Sequence, residues 1–229
     1  MDFSFLAEYY PYFLYGTIIT LIISVVTIII GTIIGILMAL AKLSSITPLR
    51  WIANIYIEIF RCTPMLIQIM IGFVLLQGTF SAPTIDIGIL KLDFTRLIPG
   101  IIVISLNSGA YVAEIVRGGI QSVDSGQKEA AGSLGLKPMQ AMRYVIFPQA
   151  LRNILPPMGN EFIILIKDSS LLSTIGIYEL MNTAQIVITN SYIPLEPYFV
   201  AAAIYFVITF STGRLLAWWE QKMGVGYSR

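Results

Sequence analysis

The chain has 229 residues, 56% of them hydrophobic and 12% charged, with 14 Lys and Arg against 13 Asp and Glu. Soluble domains carry about 25% charge, so the composition argues against a water-soluble core and for a polytopic membrane protein, and a net charge of +1 gives no basic face for nucleic acid. Histidine is absent, which removes Ser-His-Asp and Cys-His catalysis and most zinc sites.

The opening stretch, "MDFSFLAEYYPYFLYG", carries Asp2 and Glu8 and no basic residue, so it does not read as a secretory leader. Residues 15–41 contain no charge and exceed the ~20 apolar residues that a crossing needs. Gly31 and Gly35 inside this stretch form a small-xxx-small pair suited to close helix packing. A second crossing is expected over 51–77, with Glu58 and Arg61 inside it. Cys62, the single cysteine, lies in this apolar run and reads as a small buried hydrophobe. Residues 78–95 hold Pro, Gly and charges and read as a loop. The third crossing is expected over 97–120 and the fourth over 154–177, the latter interrupted early by Pro156-Pro157 and carrying Glu161, Lys167 and Asp168. Residues 189–197 read as a second loop, and the fifth crossing covers 198–219, with Trp218 and Trp219 in the headgroup zone.

Orientation follows from the basic residues of the loops. With the N-terminus outside, the cytoplasmic segments hold Lys42, Arg50, Arg117, Lys128, Lys137, Arg143, Arg152, Arg214, Lys222 and Arg229, and the outer ones only Lys91 and Arg96. Five crossings then leave the C-terminus in the cytoplasm. The fold class expected is an all-α membrane protein of five transmembrane helices, forming one domain over 1–229, with a cytoplasmic loop at about 121–148.

The stretch "EAAGSLGLKPMQAMRYVIFPQALR", residues 129–152, begins in that loop. Ala130, Ala131 and Leu134 recur at helical spacing, which suits a short amphipathic helix. Composition leaves two uses open: a surface for a partner, or a helix lying at the membrane interface. Glu129-Ala130-Ala131, then Gly135, Ile146 and Phe147-Pro148, resemble the cytoplasmic "EAA" loop of ATP-binding-cassette importer permeases. That pattern closes on Leu-Pro, and Phe147 here replaces the Leu. "YGTIITL", "GGIQSVDSGQKEAAGSLGL" and "FPQALRNILPPMGNEFIILIKDSSLLSTIG" resemble the permeases for polar amino acids, over nearly the whole chain.

The resemblance implies a type I importer permease fold in a bacterial or archaeal-type cell membrane. It implies that Glu129, Ala130, Ala131, Gly132, Leu134 and Gly135 form a coupling helix docking on a cytoplasmic ATPase subunit. It also implies a second permease copy, identical or paralogous, and an extracytoplasmic solute-binding protein. The chain contains no Gly-x-x-x-x-Gly-Lys phosphate loop, so ATP is expected on the partner; no cofactor or metal is expected on the chain itself, and it is not expected to be an enzyme.

An ionisable group inside the bilayer needs a partner or a function. Glu58 and Arg61, three apart, can pair on one helix. Asn107, Tyr111 and Glu114 form one stripe on the third crossing, and Glu161 and Asp168 share a face of the fourth. Glu58 with Arg61, and Glu114 with Arg117, read equally well as structural ion pairs. Glu161 and Asn107 lie near mid-span, with no sequence neighbour to neutralise Glu161, and read as functional. Glu58, Asn107, Tyr111, Glu114, Glu161 and Asp168 are therefore the candidate substrate residues. Within the spans, four acids (Glu58, Glu114, Glu161, Asp168) face two bases (Arg61, Lys167). That surplus favours a cationic amino acid such as arginine, lysine or histidine, with glutamine or another polar amino acid as the alternative. An ion-driven stand-alone carrier is a further reading, which inverted repeats would support; an intramembrane enzyme has no nucleophile-base pair to rest on.

Overall fold

A computed structural model describes residues 3–80, 83–86 and 91–222. The first element is α1, Leu6–Leu43. Its Ile, Val and Thr residues favour strands in water, but in lipid a lone segment can satisfy its backbone only as a helix. Glu8 in the first turn and Lys42 in the last complement the helix dipole. At 38 residues, α1 is ~57 Å long, well beyond the ~30 Å hydrocarbon layer.

The crossing expected over 51–77 is two helices, α2 (Thr47–Cys62) and α3 (Met65–Leu76), bent by 112°. The cause is Pro64. Thr63, just before it, is driven to an extended conformation, φ −115° and ψ 145°, and the helix cannot run through. Cys62 beside the bend is exposed, not buried as expected.

Part of the expected loop at 78–95 is a short antiparallel hairpin, β1 (Thr84–Asp86) and β2 (Lys91–Asp93), in the register Thr84 to Asp93 and Ile85 to Leu92. Asp93 then caps α4 (Phe94–Gln121) by accepting from the Thr95 N–H at 2.9 Å.

Residues Ser125–Ser133 form α5 and Pro138–Ala141 the single turn α6. A π-turn over Met142–Ile146 leads into α7, Phe147–Asp168. The Phe147 N–H bonds the Met142 carbonyl, five residues back. Widening the turn there relieves the clash that the Pro148 ring would make with a regular preceding turn. Pro156-Pro157 does not interrupt α7, contrary to expectation; the carbonyls it frees belong to exposed Arg152 and Asn153. A 3₁₀ segment, Ser169–Ile175, ends at Gly176 in the left-handed region, φ 76°. Beyond it α8 runs over Leu180–Ser191, so the second expected loop shrinks to the residues between Ser191 and α9, Glu196–Lys222.

Among the described residues three helices, α1, α4 and α9, are each long and apolar enough to cross a membrane; counting the α2–α3 pair as one span, and the run Pro138–Ile175 with α8, bent by 47°, as another, gives up to five. The apolar window of α4 is 61% buried, against 6% in α9, so α4 is the central helix and α9 the peripheral one. Gly31 faces Ser108, and Gly35 faces Val112 and Ala113, which brings α1 against α4 at backbone distance. Apolar clusters join α1 to α3, α4 and α7 through Ile23, Ile69, Ile104 and Leu165, to α2 and α4 through Ala39, Ile57 and Val112, and to α8 and α9 through Phe13, Leu180 and Ala201.

Candidate functional site

The α2–α3 bend leaves carbonyls without helical partners, and two amides answer them. The Gln68 Nε2 donates to Phe60 O (2.9 Å), Thr63 O (3.0 Å) and Thr63 Oγ1 (2.7 Å). From α4, Asn107 Nδ2 donates to Phe60 O at 3.1 Å and to Gln68 Oε1 at 2.8 Å. The bend is thus locked to the central helix. Sequence reading gave Asn107 to the substrate; its amide nitrogen is committed to this lock.

Against the bend lies a cavity of about 200 Å³, lined by Thr63, Met65, Asn107, Tyr111, Glu161, Ile164 and Asp168. Four of the six candidate substrate residues therefore meet, from two helices. Glu161 is 5% exposed and accepts from Ser108 Oγ at 3.0 Å. Neither Glu161 nor Asp168 has an ion-pair partner among the described residues. A larger cleft of about 680 Å³, between the start of α1 and α9, is lined by apolar side chains such as Phe3, Leu6, Phe199 and Val207, and offers nothing to orient a polar solute.

Glu58 and Glu114 lie outside the cavity lining. Glu114 sits in an ion-pair hub, accepting from Lys42 Nζ at 2.9 Å and Arg117 Nη2 at 2.7 Å, with Arg61 Nη1 at 3.8 Å. The expected Glu58–Arg61 pair does not form. Arg61 reaches across to α4, where the Glu114 carboxylate and the Tyr111 ring, 5.7 Å from its Cζ, give it two partners. Glu58 is exposed beside Trp51, Asn54, Ile55 and Ile59, and among the described residues accepts only a weak bond from Cys62 Sγ at 3.5 Å.

The second feature is the EAA loop. Asp124 caps α5 by accepting from the Gly126 N–H at 2.7 Å. The helix closes on Gly135, φ 77°, with Gly135 N–H to Gly132 O at 2.9 Å and Leu136 N–H to Ala131 O at 3.1 Å. That pair of bonds is the glycine-terminated helix end that an L side chain fits poorly. Glu129, Ala130, Gly132, Leu134 and Gly135 are exposed, Leu134 by 83%. Ala131 is 2% exposed, on the face of α5 turned to α6 and the π-turn, so it packs beneath the exposed face rather than on it. Two bonds tie the loop to α7: Gln149 Nε2 to Gln127 Oε1 at 3.2 Å, and Asn153 Nδ2 to Ser122 Oγ at 2.8 Å.

Sequence reasoning passed over Glu179. It is fully buried and caps α8, accepting from the N–H groups of Met181 (2.8 Å) and Asn182 (2.7 Å) and from Tyr205 Oη of α9 (2.9 Å). Its one signal was an acid placed just before an apolar helix and shortly after Gly176.

Residues 31–225 match the family described as binding-protein-dependent transport system inner membrane component. The Rickettsia felis protein named as a glutamine transport system permease, GlnP, is 40% identical over 96% of this chain and 98% of its own length. The arginine transport system permease protein ArtQ of Bacillus subtilis is 39% identical, covering 91% of this chain and 90% of its own. A crystal structure of an amino acid ABC transporter with histidines superimposes with a TM-score of 0.88 at 42% identity, over 97% of this chain and 99% of that one. An inward-facing structure of the MetNI methionine ABC transporter, at 18% identity and a TM-score of 0.64, shares the fold. The chain belongs to the binding-protein-dependent inner membrane components, as the permease subunit of an amino acid ABC importer.

Proposed function

We propose that this permease carries cationic amino acids, arginine first and lysine or histidine next, through the cavity lined by Asn107, Tyr111, Glu161 and Asp168. The observation behind the reading is the pair of carboxyl groups that share this cavity with no ion-pair partner among the described residues. A guanidinium or ammonium group gains Coulomb energy there, because the surrounding dielectric is low. A relative named for arginine transport and a neighbour described with histidines agree with it.

Glutamine is the second reading, favoured by the name of the Rickettsia relative. A neutral side-chain amide can be held by the Tyr111 hydroxyl and the Asn107 carbonyl without using the carboxylates. Uptake of radiolabelled arginine, lysine, histidine and glutamine into vesicles, with and without ATP, separates the two. Arginine uptake at least ten times that of glutamine is expected; the reverse order rejects the cationic reading, and full uptake without ATP rejects the ATP-driven one.

The chain works with partners. The permease is not an enzyme; ATP hydrolysis belongs to separate ATPase subunits. These dock on the exposed face of α5, at Glu129, Ala130, Gly132, Leu134 and Gly135. A solute-binding protein delivers the amino acid from outside, and a second permease copy completes the path. The N-terminus faces outward and the C-terminus the cytoplasm, a reading supported by the ten-to-two division of basic residues. When ATP draws the ATPases together, the push on α5 passes through Gln127–Gln149 and Ser122–Asn153 into α7. Because α7 carries Glu161 and Asp168, the same helix that receives the motion alters the cavity.

A further inference from the structure

We propose that Arg61 receives the carboxylate of the amino acid cargo at the rim of this cavity. The proposal rests on the reading of the cavity as the cargo site, and it holds whichever side chain the cargo carries.

An amino acid brings a carboxylate as well as its ammonium group. A cavity lined by Glu161 and Asp168 suits the ammonium and repels the carboxylate. A cation must therefore stand near, and the candidates differ in how far they are already committed. Lys42 and Arg117 lie 2.9 and 2.7 Å from Glu114, within the range of charge-assisted hydrogen bonds. Lys167 is exposed and does not line the cavity. Arg61 approaches Glu114 only to 3.8 Å, beyond hydrogen-bond length, and its guanidinium donates no hydrogen bond among the described residues. Its planar fork is shaped to hold a carboxylate in two parallel bonds.

Position supports the same residue. Arg61 precedes by two residues Thr63, which lines the cavity, and its Cζ stands 5.7 Å from the centroid of Tyr111, which lines it too. The ring orients the guanidinium plane. The charges complete the argument. Lys42, Arg61 and Arg117 converge on the single carboxylate of Glu114, a local surplus of two positive charges. Glu161 and Asp168 place two carboxyl groups, neither in an ion pair among the described residues, in the adjoining cavity. The two together suit a dipolar solute held carboxylate toward α2 and ammonium toward α7.

The test compares each amino acid with its decarboxylated analogue: arginine with agmatine, lysine with cadaverine, glutamine with 4-aminobutanamide. Equilibrium binding is measured on the purified permease–ATPase complex in nanodiscs, without the solute-binding protein. The wild type is expected to prefer each bound amino acid over its analogue by roughly ten- to hundred-fold, the loss of one or two charge-assisted bonds. Arg61→Gln should abolish that preference while leaving analogue binding unchanged, and Arg61→Lys should retain part of it. A preference that survives Arg61→Gln, or equal weakening of acid and analogue, overturns the proposal. If the Gln variant does not assemble, the Lys variant decides: a several-fold smaller preference supports the assignment and an unchanged one rejects it. Should glutamine bind above arginine, the cationic reading falls while Arg61 stands. A wild type that binds none of the panel removes the cavity reading and Arg61 with it.

Discussion

Glu161 and Asp168 stand seven residues apart on α7, and both line one cavity without an ion-pair partner among the described residues. Were Glu161 only a packing element held by Ser108, its replacement would harm all substrates alike. If it meets the cargo, the effect depends on cargo charge. Each hydrogen bond to a charged group is worth about 1.5–3 kcal/mol, so Glu161→Gln should weaken arginine uptake roughly ten- to hundred-fold. Glutamine, whose single cationic group Asp168 can still meet, should be taken up far more nearly as before, and co-purification with the ATPase should persist. Equal loss of arginine and glutamine uptake would return Glu161 to a structural role. The contrast with Glu114 shows what sequence can and cannot say about such residues. Both are acids inside an apolar helix, yet the cations that engage Glu114 include Lys42 of α1 and Arg61 of α2, distant along the chain. Spacing on one helix reveals Arg117 and nothing of the other two. The role of Asn107 was hidden for the same reason, since its amide answers carbonyls that exist only because α2 and α3 part at Pro64.

At the scale of elements, the two features set by proline and glycine differ in how well they were legible. Gly135 reads directly: a glycine after a short helix, found at φ 77° and closing α5 with two carbonyl bonds. A β-branched residue in that conformation costs about 1–2 kcal/mol. Gly135→Val should therefore fray the end of α5, displace exposed Leu134, and cut ATP-driven uptake at least several-fold, while arginine binding to the permease stays intact. Normal coupled uptake in that variant would dissociate α5 from the ATPase. The prolines were less legible. Pro64 breaks its helix by 112°, whereas Pro156-Pro157 passes inside α7 without a break. The difference is what stands opposite: Gln68 and Asn107 satisfy an open bend at Pro64, while the carbonyls freed at Pro156 and Pro157 lie on exposed residues. The phase of α5 was half legible, because periodicity groups Ala130 with Ala131 but the packing of α6 and the π-turn decides that Ala131 alone is covered.

For the whole molecule, hydropathy revealed the helical class and the rough positions of the spans, and family-like motifs revealed the architecture; the two bent spans were not legible, because hydropathy counts residues without direction. Sidedness is testable directly. In a Cys62→Ser background, Thr84→Cys on the hairpin should react with an impermeant thiol reagent added outside intact cells, and Lys137→Cys only after the membrane is opened. Opposite labelling would invert the orientation. The placement of α1 also bears on how the protein is made. Thr20 of α1 accepts a hydrogen bond at 3.1 Å from the N–H of Leu180, a residue made 160 positions later. At about 5–20 residues per second, translation supplies that partner on the order of ten seconds after Thr20 itself. During that interval α1 holds the buried polar face of Thr20, Ser24 and Thr27 without the later helices that cover it. A helix made long before α8 is thus enclosed only once α8 arrives, and until then any factor that shelters nascent membrane segments has a defined face of α1 to shield.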